Sequence, residues 1–396
     1  MMGIFDTWKN RIDSSLAEAE QGLQQKQELL SRLKLIDAQV RAVINDPDAT
    51  SAPGIPWEFA HGLSILSSGL NGEPLPTTEA QLPTRVMDDG TLLGCRKWEL
   101  LDPLWGEALT QWVEHLENRA PWNTQPCHLA IPDKVSFNIA GDWGTGDYIA
   151  HKVATAMTGR PADYTIHLGD VYYAGVGSDE NQDFAGWPAG ARGQFTLNSN
   201  HEMYNGALGY FGVLSSRFPL QQGTSYFSLF NANWLILGLD TAYWSDKWNL
   251  YMDGALGDGQ TAWLREVTAG WKGKIMVLSH HQGYSMEGES NALFLAVKDA
   301  LGRAPDYWYW GHLHNVICYQ PQNGMLGRCI GHGAIPYGAA SILDGKPQVA
   351  WAETKSADDR QYPERVLNGF ARVELNGEAL VEVLYDENGE KRWPQP

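Results

Sequence analysis

Ile275-Met276-Val277-Leu278-Ser279-His280-His281 and Tyr307-Trp308-Tyr309-Trp310-Gly311-His312-Leu313-His314 share one design: a short apolar run that ends in Ser or Gly and then in histidine. Apolar runs of this length read as buried strands. Between them Leu293, Phe294, Val297 and Leu301 recur at helical steps, and upstream the run Trp234–Leu239 is followed by a second helical pattern, Trp263/Leu264/Val267. The segment 234–310 therefore reads as two consecutive βαβ units, which are right-handed as a rule. Working outward, Val135–Ala140 and Tyr164–Leu168 flank the helical positions Ile149/Val153/Met157. In an open α/β sheet the ligand crevice lies at the carboxyl ends of the strands, so the residues that follow these runs are where chemistry is expected.

The whole chain has 396 residues, enough for two or three domains and a substantial core. With 29 Lys and Arg against 47 Asp and Glu, the net charge of −18 disfavours generic nucleic-acid binding and requires that an anionic substrate meet positive charge concentrated locally, as from a metal or a few basic residues. No apolar run is long enough to span a membrane. The N-terminus carries Asp6, Asp13, Glu18 and Glu20 where an export signal needs a basic start, so a cytoplasmic protein is expected. Four cysteines without CxxC spacing are expected to be reduced.

Residues 14–45 lack Pro and repeat apolar residues at helical steps, predicting a long amphipathic helix. It either packs on its own chain or offers a surface for homo-oligomer formation. Residues 1–130 are assigned to a helical N-terminal extension and residues 131–396 to a catalytic domain, with Pro121, Pro126 and Pro132 marking the junction.

Four of the five strands run into residues that bind hard or borderline cations: Gly141-Asp142-Trp143-Gly144, Gly169-Asp170-Val171-Tyr172-Tyr173, Ser279-His280-His281 and Gly311-His312-Leu313-His314. A loop between them carries Ser199-Asn200-His201-Glu202. A lone Gly-Asp is ordinarily a turn and a lone His-x-His a satisfied polar pair. Five such pieces together read as a site of carboxylate, amide, imidazole and phenolate donors without structural thiolates.

These residues resemble the calcineurin-like metallophosphoesterases, and among them the purple acid phosphatases, through Asp142-x-Gly144, Gly169-Asp170-x-x-Tyr173, Asn200-His201-Glu202, Val277-x-x-His280 and Gly311-His312-x-His314. The resemblance covers about residues 133–385. It implies a metallophosphoesterase fold of the α/β (α+β) class, a central β-sandwich flanked by helices and completed by strands such as Phe370–Leu375 and Ala379–Tyr385. It implies a first metal held by Asp142, Asp170, Tyr173 and His314, and a second held by Asp170, Asn200, His280 and His312. Many relatives carry His where Gly144 stands, and Tyr173 is spaced as the phenolate that replaces it. Fe(III) is then implied beside Tyr173, with divalent Fe, Zn or Mn as the neighbour. Attack by a metal-activated hydroxide on a small phosphorylated substrate follows, with Asp170 bridging and His201 stabilising the transition state or protonating the leaving group. A phosphomonoesterase is expected first, a phosphodiesterase or nucleotide pyrophosphatase next, and a non-catalytic metal-binding scaffold working through the N-terminal helix last. Tyr172-Tyr173 stands where calcineurin-type protein phosphatases carry Asp-Arg.

Asn323-Gly324 signals a two-residue hairpin. Centring the turn there pairs Cys318 with Cys329 and brings His332 back towards His314, as a neighbour of the ligands or a substrate contact. His281 should point away from His280 and pack in the core or against the ligands. Asp147 is expected to cap the following helix, His151 and His167 to be structural, and Asp240 to be either a buried turn carboxylate or a neighbour of the ligands.

Overall fold

The structure, a computed structural model, describes residues 85–394 apart from Cys95, Leu100, Leu101 and Pro103. The helix expected over 14–45, and the self-association surface with it, lies outside these residues. In chain order the elements are β1 (Arg85–Val86), β2 (Leu92–Leu93), α1 (Trp105–His115), β3 (Cys127–Ala130), β4 (Lys134–Ala140), α2 (Tyr148–Thr158), β5 (Tyr164–His167), α3 (Gly177–Gly186) and β6 (Gly193–Thr196). Then follow α4 (Asn200–Tyr204), α5 (Leu208–Arg217), β7 (Phe227–Phe230), β8 (Trp234–Gly238), α6 (Asp258–Val267), β9 (Lys274–Ser279), α7 (Ala292–Leu301) and β10 (Tyr307–Trp310). The chain closes with β11 (Val316–Tyr319), β12 (Leu326–Ile330), β13 (Val349–Ala352), β14 (Gly369–Asn376), β15 (Ala379–Asp386) and β16 (Lys391–Trp393).

Beyond the β1–β2 hairpin there are two sheets, ordered β13-β11-β12-β10-β9-β8-β7-β3 and β16-β15-β14-β4-β5-β6. Strands β8, β9 and β10 are parallel neighbours joined through α6 and α7, as the sequence repeat required. Strands β4, β5 and β6 are parallel in the smaller sheet. The period of two along each strand divides the side chains between layers. Met276, Leu278 and Tyr309 face the other sheet and meet Phe137, Ile139 and Ile166 across the sandwich. Ile275, Val277, Trp308 and Trp310 face outward onto Leu264, Leu293, Phe294 and Val297. On the far side Ile149, Val153 and Met157 cover the smaller sheet with Phe184, Trp187 and Phe370. The order of layers is therefore helix, sheet, sheet, helix. Among the described residues no helix is long and apolar enough to cross a membrane.

The described residues between 85 and 130, placed by sequence in the extension, pack against this body. Met87, Leu92, Trp98, Trp105, Leu109 and Trp112 share one core with Tyr172, Met203 and Tyr204, and β3 pairs in parallel with β7.

The hairpin at Asn323-Gly324 forms, with Gln322 bridging Met325 and positive φ at both turn residues. Its register is not the expected one. Cys318 pairs with Arg328, and Ile317 with Cys329. One extra residue is accommodated between Cys318 and Gln322, where Pro321 has no N–H to give to a ladder. A shift by one residue exchanges faces, so Cys318 lies between the sheets and Cys329 on the helix side, and the two are not cross-strand neighbours. Both are free and buried, as is Cys127.

Candidate metal centre

The two sheets meet at one end of the sandwich. Gly141 at the end of β4 donates its N–H to Ile330 O at the end of β12 (2.9 Å), and His280 after β9 donates Nδ1–H to Leu168 O after β5 (2.9 Å). Asp142, Asp170, His312 and His314 follow strand ends, and all four have φ between 53° and 75°. Left-handed backbone at non-glycine residues costs energy and is maintained where the surroundings require it. Gly169 (φ +97°) precedes one of them, and a Cβ there would stand 2.8 Å from Ser199 Cβ and 2.9 Å from His280 Nδ1. At Gly144 a Cβ would lie 2.7 Å from Asp170 O, so the missing side chain lets the 169–173 loop close directly on the first strand end.

His280, Asn200, His312 and Asp170 form one group. From His280 Nε2 the distances are 2.8 Å to Asn200 Oδ1, 3.1 Å to His312 Nδ1 and 3.2 Å to Asp170 Oδ1. Because His280 gives its Nδ1–H to a backbone carbonyl, the neutral ring presents a lone pair at Nε2. Asn200 turns its amide nitrogen to Tyr204 Oη (2.6 Å) and so presents its oxygen. Burial lowers the pKa of His280 and His312. Donor atoms gathered at these distances could share one cation.

A second group lies on the other side of Asp170. Tyr172 Oη is 2.8 Å from His314 Nε2, 2.9 Å from Asp170 Oδ2 and 3.4 Å from Asp142 Oδ1, and His314 Nε2 is 3.4 Å from Asp142 Oδ1. Adjacent ligands each about 2.1 Å from a metal stand roughly 3 Å apart, which these separations match. Asp170 thus directs Oδ1 to one group and Oδ2 to the other. Both carboxylates are fully buried, and among the described residues no Lys or Arg pairs with either. Burial drives the Asp142 carboxyl well above its usual range. Burial would raise Asp170 too, but the imidazoles of His201, His280 and His312 hold it well below. Two buried carboxylates with imidazoles but no Lys or Arg beside them fit a pair of cations.

The phenol in this group belongs to Tyr172. Tyr173, favoured by its spacing from Asp170, turns the other way and donates its hydroxyl to Asp102 Oδ2 (2.5 Å). His281 lies beside His280 and His312, but both of its nitrogens are engaged: Nε2–H donates to Tyr251 O (2.7 Å) and Nδ1 accepts from Thr241 Oγ1 (2.8 Å). His332 is buried on the loop after β12. Its flanking glycines approach Asp142, His314 and Gly141, yet its Nδ1 has no partner and no hydrogen bond joins the ring to the ligands. Burial brings its pKa down to about 3.

His201 sits over the second group, 1% exposed, with Nδ1–H donating to Tyr173 O (2.6 Å) and Nε2 3.8 Å from Asp170 Oδ2. Ser199 is extended (φ −137°) and caps α4 by accepting from His201 N, so no glycine is needed there. Its hydroxyl also bonds Asp170 Oδ1 and Glu202 Oε2. The Ser-x-x-Glu spacing of a capping box was a usable signal for this pair. Nothing in the sequence pointed to Tyr204, Asp102, Trp98 or Trp105, which reach the site through tertiary packing. Asp147 caps α2, and Asp240 is a turn carboxylate accepting from Ala242 N and Tyr243 N.

No family model matches the chain, and no curated protein matches it. Among solved structures it is similar to GAP50, the anchor in the inner membrane complex of Plasmodium, at 14% identity and a TM-score of 0.47, over 65% of this chain and 86% of that one. It is similar to a dimetal phosphatase from Danio rerio at 13% identity and a TM-score of 0.44, over 65% and 98% of the two chains. It is also similar to PhoD at 12% identity and a TM-score of 0.43, over 70% and 73%.

Proposed function

We propose that this chain is a dinuclear-metal phosphoesterase of the calcineurin-like, purple acid phosphatase kind, acting on small phosphate monoesters, with diesters and nucleotide pyrophosphates open to the same chemistry. The observation that supports this most strongly is Asp170, whose two oxygens face two separate groups of converging lone-pair donors. Asn200, His280, His312 and Asp170 would hold one ion; Asp142, Tyr172, His314 and Asp170 the other. A hard phenolate at Tyr172 suits Fe(III), with divalent Fe, Zn or Mn as its neighbour. When bound, such a pair supplies the positive charge that a −18 chain otherwise lacks, orients phosphate oxygens and lowers the pKa of water.

The chain's own residues do the rest. Asp170 would hold both ions, one through each carboxylate oxygen. The Leu168 carbonyl fixes the His280 tautomer, and Tyr204 fixes the Asn200 amide. His201 directs Nε2 into the space beside Asp170, where it can hold a phosphoryl oxygen or deliver a proton to a leaving alkoxide.

Two measurements test the proposal. Hydrolysis of aryl phosphate mono- and diesters should be abolished by chelator and restored by metal; no turnover after reconstitution with Fe, Zn or Mn would refute it. A phenolate-to-iron(III) absorption band should vanish in Tyr172→Phe and survive in Tyr173→Phe. The reverse pattern would return the ligand role to Tyr173.

A further inference from the structure

Turned away from the metal-site groups, Tyr173 enters a box built by Trp98, Asp102 and Trp105. Its ring stacks on Trp98 with centroids 4.4 Å apart and planes 22° apart, and Trp105 meets its edge at 4.7 Å. Asp102, which takes the Tyr173 hydroxyl hydrogen, is 3% exposed and is itself pinned: Oδ2 also accepts from Trp98 N (2.9 Å), and Oδ1 from Leu104 N (3.0 Å). Trp98 adopts left-handed backbone (φ 69°), and its indole N–H donates to Asp147 Oδ2 (3.0 Å). A strained backbone, a stacked ring and a buried carboxylate all serve to hold one phenol in place. The segment that supplies them lies outside the sequence motifs of the site.

What this box holds in place is the Tyr173 carbonyl, which accepts His201 Nδ1–H at 2.6 Å. A carbonyl can only accept, so the bond holds a hydrogen at Nδ1 whether the ring is neutral or protonated and turns Nε2 towards Asp170 Oδ2, where the protonated ring would carry the hydrogen it delivers. The imidazole is also packed between the Tyr172 ring at 4.3 Å and the Trp105 ring at 5.8 Å. We infer that Asp102 and Tyr173 are positioning residues for His201: the Asp102–Tyr173 hydrogen bond sets where the Tyr173 carbonyl stands, and that carbonyl sets the tautomer and aim of the imidazole. The use made of that aim rests on the phosphoesterase reading; the positioning itself does not. Misplacing a proton donor by about 1 Å costs on the order of 100-fold in rate.

The test uses the full chain, metal-loaded, with Tyr173→Phe and Asp102→Asn beside the unaltered protein. Rates are measured on an alkyl phosphate, whose leaving group needs a proton, and on dinitrophenyl phosphate, whose leaving group does not. Metal content is measured alongside. The alkyl ester rate should fall at least about tenfold further than the dinitrophenyl rate in both variants, at unchanged metal content. Equal losses on the two esters, or none on either, overturn the inference. If the unaltered protein hydrolyses neither ester, the phosphoesterase reading fails, and nitrogen-15 shifts of the His201 ring still decide the positioning. A Nδ1–H tautomer that becomes mixed in Tyr173→Phe supports it, and an unchanged tautomer in both variants refutes it.

Discussion

On the proposed assignment, removing one atom, the Tyr204 hydroxyl oxygen, should weaken the ion that Asn200 would hold and spare the one that Tyr172 would hold. Asn200 is 1% exposed, and its amide nitrogen finds Tyr204 Oη at 2.6 Å and otherwise only Met252 Sδ at 3.5 Å. The phenol can accept because its own hydrogen is directed to Met252 Sδ at 3.6 Å. In Tyr204→Phe the amide nitrogen keeps only the weakly accepting sulfur while its oxygen faces His280. Rotating the amide instead would give its N–H to the His280 lone pair and remove an oxygen from the metal. A buried amide left without its acceptor loses about 1–2 kcal/mol, so the affinity of that ion should fall about 5- to 30-fold. Competition with a chelator of known strength, following each ion separately, measures this. The absorption band from Tyr172 should persist, since its ligands lie on the other side of Asp170. Equal weakening of both ions, or of neither in a folded variant, would refute the argument that Tyr204 orients the amide.

Three further outcomes are expected. Burial and the neighbouring Asp179 raise the Asp183 pKa to about 7. Against an unfolded value of about 3.9, its penalty is absent below pH 4, grows as pH rises and is complete above pH 7, with a ceiling of about 4 kcal/mol. The melting temperature of Asp183→Asn should therefore match the unaltered protein near pH 4 and exceed it increasingly up to pH 7; a gap that does not change with pH contradicts this. Removing the metals should lower the melting temperature by about 10 °C, because cations at about a thousand times their dissociation constant contribute roughly 4 kcal/mol. Coincident melting curves with and without chelator would count against a site built for cations. Gly169→Ala should cost about 2–5 kcal/mol and release metal, since its Cβ would meet Ser199 and His280 and its φ is +97°; chemical denaturation with metal analysis reads both.

The strands were legible because burial leaves a simple pattern. Ile275–Leu278 and Tyr307–Trp310 are covered on both faces, which forces continuous apolar runs, and helices α6 and α7 show their one covered face as repeats at three and four residues. The rule that ligands gather at carboxyl ends pointed to the strand ends where the structure brings Asp142, Asp170, His280, His312 and His314 together. What failed was finer. A hairpin turn fixes the register only while every residue joins the ladder, and Pro321 leaves it, so Cys318 and Cys329 ended on opposite faces. The contributions of Asp102, Trp98, Trp105 and Tyr204 depend on segments distant in sequence, and no local period encodes them.

The exchange of Tyr173 for Tyr172 has a more specific cause. Side chains alternate along a strand because each residue repeats the same extended backbone. The expectation for Tyr173 rests on the motif's three-residue spacing from Asp170 rather than on this repeat, and Asp170 itself has left-handed backbone (φ 75°). Past such a residue, spacing says how far along the chain a side chain lies and nothing about the direction it takes. The direction is set by what the loop packs on: Gly144 admits the loop against the first strand end, with Tyr172 N donating to Gly144 O at 2.8 Å. The neighbouring ring is claimed by Trp98 and Asp102. Two adjacent aromatics therefore take opposite directions, one into the centre and one into the segment that covers it. Their division is set by the gap at Gly144 and the buried Asp102 carboxylate, neither of which motif spacing records.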